Sequence, residues 1–176
     1  MSKSRFSTRD IAAAGIIAAL YAVLSYFSSV FGVAYGPIQC RFSEALCVLP
    51  FLFPCTVPGL FVGSLITNLM STVGPLDIVF GSLATLLAAI WTAKMPHRLL
   101  APLPPVLCNG VIIGAMITWY EVGFTPSFWS LFLFNGISVA VGELIACYVL
   151  GSLLLKVLPR IPMLRDMIPA ERLCYI

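Results

Sequence analysis

FWSLFLFNGISVAVGELIACYVLGSLLLKVL, Phe128 to Leu158, is the stretch that decides the fold. It is almost wholly apolar, and apart from Lys156 near its end, Glu143 is its single charge. A run of 18 or more apolar residues with few charges reads as a helix that crosses a bilayer, at about 20 residues per span. Lipid offers nothing to backbone N–H and C=O groups, so a spanning segment is a helix or part of a closed barrel. Barrel strands alternate polar and apolar residues, and this stretch does not.

Working outward, the same pattern fills the chain. Its 176 residues are 60% hydrophobic and 10% charged, with a mean hydropathy of +1.03. So few charges cannot cover a water-exposed surface, and the composition points to lipid as solvent. The apolar segments run from Ile11 to Phe31, Ser43 to Phe53 with Pro50 inside it, Gly59 to Thr72, Leu76 to Ala93, Val106 to Tyr120, and Phe128 to Leu158. Pro54 and Pro58 bracket a sharp turn. The tail after Leu158 is amphipathic and charged. The expected fold is an all-α membrane protein, a six-transmembrane-helix bundle, with residues 1–176 as one domain. The length leaves no room for a nucleotide-binding or large soluble catalytic domain. The basic start and apolar run of the first 30 residues are read as a retained span, because the run is long for a signal peptide and no small-residue cleavage site follows.

Ten basic residues set the orientation. With six spans, Lys3, Arg5, Arg9, Lys94, Arg98, Lys156, Arg160, Arg165 and Arg172 fall on one side, and Arg41 alone on the other. Basic loops mark the cytoplasm, so both termini are expected there. Five or seven spans break this sorting.

Ionisable residues inside spans are costly and usually functional. Glu143 lies mid-segment, in Gly142-Glu143-Leu144. Asp77 and Glu44 begin helices at the outer face, where capping a helix N-terminus competes with a ligand role. Arg41 and Glu44 can pair. Asn68, Asn109 and Asn135 are either glue between helices or amides for a ligand. Gln39 approaches from the outer loop. Trp119 and Tyr120 are either part of an interfacial belt or a cover for a flat ring. Carboxylates accept paired N–H groups, amides match carbonyls and ring nitrogens, and aromatic faces sandwich rings. The inventory fits a small polar ligand entering from outside, a guanine-like base or a charged vitamin equally. No G-x-S-x-G, H-E-x-x-H or phosphate-gripping loop is present. Six cysteines without a C-x-x-C pair, and the lone His97, make no metal site. No catalysis, cofactor or nucleic-acid partner is expected.

Along the first segment Ala14, Ala18 and Ala22 recur every four residues, as do Gly15 and Ala19. Small residues at this spacing form a flat strip for close helix packing, within the bundle or against a separate subunit.

Four stretches carry a family resemblance: Gln39-Cys40-Arg41-Phe42-Ser43-Glu44-Ala45-Leu46, Pro58-Gly59-Leu60-Phe61-Val62-Gly63 through Asn68, Leu76-Asp77-Ile78-Val79-Phe80-Gly81-Ser82-Leu83-Ala84-Thr85, and Gly142-Glu143-Leu144. Together with the alanine strip, they make the chain similar to the substrate-binding S components of energy-coupling factor (ECF) transporters. Within those it most resembles the QueT family, assigned to queuosine precursors. The resemblance implies a subunit of the bacterial plasma membrane that captures a 7-deazaguanine (preQ0, preQ1 or queuine) from outside. It implies partners as well, a transmembrane coupling subunit and two ATPases, with no ATP or Mg²⁺ bound by this chain. Ala14, Ala18 and Ala22 would form the coupling strip. Glu143 and Asp77 would take the base's N–H groups, the three asparagines would add amide contacts, and Arg41 with Glu44 would hold or gate the outer loop. Ser71-Thr72-Val73-Gly74-Pro75 departs from the family by carrying less glycine. Other readings are an S component for another vitamin or nucleobase, a self-sufficient transporter, and an intramembrane enzyme.

Overall fold

The computed structural model describes residues 7–32, 41–71 and 74–173; Gln39, Thr72 and Val73 lie outside them. Every regular element among the described residues is helical. Helix α1 spans Thr8–Val30. Its start is set by a reciprocal cap: the Ser7 hydroxyl accepts from the Asp10 N–H at 3.2 Å, and the Asp10 carboxylate accepts from the Ser7 N–H at 2.9 Å. A 3-10 helix, Phe42–Phe51, follows. Then come α2 (Val57–Leu69), α3 (Pro75–Thr92), α4 (Leu103–Val122) and α5 (Phe128–Leu144). A π-helical turn, Ile145–Gly151, joins α5 to α6 (Ser152–Val157). The short α7 (Pro162–Arg165) and α8 (Ala170–Leu173) form the tail.

Four helices are long and apolar enough to cross a membrane: Thr8–Val30, Pro75–Thr92, Arg98–Val122 and Phe128–Arg160. The 3-10 helix and α2 are shorter. At ~2.0 Å per residue for a 3-10 helix and ~1.5 Å for an α-helix, each extends roughly 20 Å. They are joined near Pro54–Thr56, and α2 packs between α1 and α3 with Val62, Ile66 and Leu69 exposed. The 3-10 helix is the centre of the bundle, with every residue from Ser43 to Phe51 buried. Pro50 lacks the N–H that an α-helical ladder needs at that point. Pro104 and Pro105, by contrast, sit in the first turn of α4, where N–H groups have no intrahelical partner anyway.

Small residues set how closely the helices approach. A Cβ on Gly59 would overlap the Ala14 carbonyl oxygen, and one on Gly63 would lie 2.8 Å from the Ala18 carbonyl oxygen. The alanine strip of α1 therefore packs on α2 of this same chain. On the other side of the bundle, a Cβ on Gly114 of α4 would stand 2.6 Å from the Gly136 Cα of α5. Where lipid gives little hydrophobic drive between helices, such backbone contact supplies the dispersion energy that holds them. At the basic end, Arg172 donates to the Ala93 and Met95 carbonyls beyond α3 and lies 5.0 Å over the Phe51 ring. Arg9 donates to the Met163 carbonyl at 2.7 Å. The start of α1, the end of α3 and the tail thus share one end of the bundle.

A large side chain at Gly63 has no room, whereas Gly15 faces open space. We predict that Gly63→Leu lowers stability by about 2–3 kcal/mol through overpacking. Gly15→Leu should change it by less than about 0.5 kcal/mol. Thermal unfolding of the purified chain in detergent measures both.

Candidate functional site

The polar residues of the spans gather in the bundle's interior, beside the 3-10 helix. Glu44 begins there rather than at a surface: the 3-10 helix carries it inward, and it is 3% exposed. Its Oε1 accepts from the Tyr21 hydroxyl of α1 at 2.5 Å, and its Oε2 accepts from the Cys47 thiol at 3.1 Å. Glu143 of α5 is 6% exposed. Asn109 of α4 lies between the two acids. Its Nδ2 donates to Glu143 Oε1 at 2.6 Å and reaches Glu44 Oε2 at 3.5 Å. Cys147, one helical turn after Glu143 and inside the π turn, reaches Glu143 Oε2 at 3.6 Å and the Glu44 carbonyl at 3.2 Å. π turns inside α-helices often sit at functional sites. This one seats Cys147 against the 3-10 helix, and Gly151 packs on Val48.

A second group lies on α2 and α3. Asn68 Nδ2 donates to the Ser64 and Ser82 hydroxyls at 3.3 and 3.2 Å, and Ser64 pairs with Thr85 at 3.0 Å. Asp77 is 1% exposed, and Arg41 faces it at 3.8 Å. Among the described residues, no group donates a hydrogen bond to either Asp77 oxygen or to Asn68 Oδ1. Asp77 therefore does not cap α3, whose start has no side-chain cap. Nor does Glu44 cap the 3-10 helix.

Between the groups is a cavity lined by Arg41, Glu44, Gly81, Thr85, Asn109 and Glu143, with Ile113 and Val139 as its apolar wall. It holds about 20 Å³, room for one water and not for a ring. Chemically its polar lining is two carboxylates, one amide, one hydroxyl and one guanidinium. It is suited to matching N–H groups on a small ligand. Among the described residues no cluster of His, Cys, Asp and Glu has the makings of a metal site.

The structure thus brings Glu143, Glu44, Asn109 and Arg41 to one cavity, with Asp77 and Asn68 beside it. It places Asn135 and Trp119 elsewhere. Asn135 donates to Thr118 and Glu121 at 3.1 and 2.8 Å, tying α5 to the end of α4. Trp119 is exposed and lines a wholly apolar groove with Leu76, Phe80, Met116 and Phe128. Tyr21, Cys47, Cys147 and Thr85 escaped the sequence reading. The spacing of Cys147 four residues after Glu143 was the available signal, since it puts both on one helix face.

A family model described as the QueT transporter matches residues 11–160. The chain belongs to the QueT transporter family. It is accordingly a membrane protein of a transporter family, which agrees with its four long apolar helices. The queuosine precursor transporter QueT of Lactococcus lactis subsp. cremoris is 36% identical over 86 residues. That alignment covers 49% of this chain and 49% of the relative, so it spans about half of the relative's length. No solved structure matches the chain. Within this QueT chain the family match runs from α1 through the end of the long C-terminal helix, so it includes every residue of the cavity.

Asn109 is the shared donor of two buried acids. Asn109→Leu should cost about 1–3 kcal/mol of stability, because it leaves both carboxylates short of a partner. Asn135→Ala, on a partly exposed bond, should cost less than about 1 kcal/mol. Unfolding of the two variants in detergent compares them.

Proposed function

We propose that this chain is the substrate-binding S component of an ECF-type importer, taking up a 7-deazaguanine queuosine precursor. The observation that carries the reading is the buried set of Glu44, Asn109 and Glu143 around a small polar cavity. Carboxylates with a fixed amide between them suit the amino-pyrimidinone edge of a guanine-like base, which offers adjacent N–H donors. Glu143 and Asp77 accept from the ligand, Asn109 and Asn68 orient it, and Arg41 with Glu44 governs entry. Binding has to widen the cavity, because ligand sites usually need roughly 300 Å³ or more.

In this proposal the chain is one six-span domain of the bacterial plasma membrane with both termini in the cytoplasm. The 3-10 helix and α2 act as the second and third spans. The contacts of Arg9 with Met163 and of Arg172 with Ala93 and Met95 support that orientation, because they gather basic residues at one end. The chain has no nucleotide site of its own in this reading. ATP is hydrolysed by two ATPases bound to a transmembrane coupling subunit. Ala14 and Ala18 already pack on α2 and Ala22 is half-buried. The coupling subunit therefore docks on the neighbouring strip of α1, where Gly15 and Ala19 are exposed.

The test is a thermal-shift titration of the purified chain with 7-deazaguanines, guanine, riboflavin and thiamine. A 7-deazaguanine should stabilise it without ATP, and guanine should act far more weakly. Glu143→Gln should weaken binding about tenfold to a hundredfold, the worth of a charged hydrogen bond, with the unliganded midpoint little changed. Stabilisation by a vitamin instead of a deazaguanine would overturn the ligand assignment.

A further inference from the structure

Asp77 and Asn68 carry three buried oxygen atoms that accept no hydrogen bond from the described residues: both carboxylate oxygens and the Asn68 Oδ1. Each side chain is 1% exposed. A buried acceptor without a donor costs about 1–3 kcal/mol, so three at one place are a standing cost unless a ligand relieves it. Arg41 at 3.8 Å compensates charge without a hydrogen bond to Asp77. Asn68 is fixed through its Nδ2 by Ser64 and Ser82.

Gly81 joins this acceptor group to the cavity. It lines the cavity, and a Cβ placed on it would stand 2.6 Å from Asn68 Nδ2 and 2.7 Å from Asp77 Oδ1. The missing side chain leaves Asp77 Oδ1 and the amide nitrogen of Asn68 close behind the cavity-lining Gly81. Charge points the same way. Glu44, Asp77 and Glu143 are buried together, and among the described residues the positive group set beside them is Arg41, 17% exposed. A neutral ligand leaves the Asp77 carboxylate without a hydrogen-bonded partner, and an unpaired acid away from water is expensive.

We propose that the site is selective for a cationic ligand and seats a protonated amine against the Asp77 carboxylate, across Gly81. An ammonium offers N–H donors and no acceptor, matching the two Asp77 oxygens that lack donors. It also supplies the positive charge. This inference rests on the 7-deazaguanine reading and divides its candidates: a base bearing an aminomethyl group fits, and one bearing a neutral nitrile does not.

The experiment titrates the purified full chain with 7-aminomethyl-7-deazaguanine and 7-cyano-7-deazaguanine, which share one ring. Wild-type protein should bind the amine at least about thirtyfold more tightly, roughly 2 kcal/mol. Asp77→Asn should bring the amine to within a few-fold of the nitrile, by weakening amine binding at least about tenfold more than nitrile binding. Equal or tighter binding of the nitrile by the wild type overturns the charge selectivity and leaves the deazaguanine reading standing. Equal losses for both ligands in Asp77→Asn overturn the amine seat at Asp77. Binding of neither ligand by the wild type overturns both readings together. The wild-type comparison needs no variant, so poor folding of Asp77→Asn does not blunt it.

Discussion

A carboxylate in the middle of an apolar bundle must find its donors inside the protein, and here one amide serves two of them. Asn109 on α4 meets Glu143 on α5 and reaches Glu44 on the 3-10 helix. Tyr21 of α1 completes Glu44. Four elements are therefore tied to one another through two acids. Buried acids bound in this way cost more to separate than to keep, because each loses a donor that lipid cannot replace. This explains why a 3-10 helix of only ten residues, too short to cross a bilayer unaided, can lie fully buried at the centre. Its polar side chains are met from three sides, and its apolar ones fill the space between Phe51, Leu52, Cys147 and Leu155.

Glycine and alanine make that arrangement reachable. Tyr21 can touch Glu44 only because α1 lies flush on α2 at Gly59 and Gly63. Asn109 can touch Glu143 only because α4 lies flush on α5 at Gly114 and Gly136. The close contacts and the polar centre are two parts of one construction. The cavity is small for the same reason, so a ligand has to move helices or the rim to enter. A transporter has a use for such a site, since capture and release both need it to change shape.

The apolar segments were legible because lipid restricts a chain to few solutions. The segment read as Leu76–Ala93 is the helix Pro75–Thr92, and the one read as Phe128–Leu158 is continuous to Arg160. What the segments do inside the bundle was harder to read. Uniformly apolar runs carry no periodicity that marks an inward face. Glu44, next to a loop, thus looked like a rim residue and is central, while Asn135, open to either a ligand or an interhelical role, ties α4 to α5. The alanines at 14 and 18 pointed correctly to close packing. Their partner could not be named from spacing alone, and in the structure it is α2, through the Gly59 and Gly63 of a stretch already singled out for another reason. Glu143 was the clearest signal, because a charge in mid-span has few bland explanations.

The central claim is that the polar interior of the bundle is the ligand's seat. The most direct measurement is a structure of the chain in a lipid disc with a 7-deazaguanine bound. The account predicts the ring within hydrogen-bonding distance of Glu143 and Asn109, in a cavity widened beyond its present 20 Å³. A ligand in the apolar groove beside Trp119, with Asn109 still bridging Glu44 and Glu143 unchanged, would contradict it.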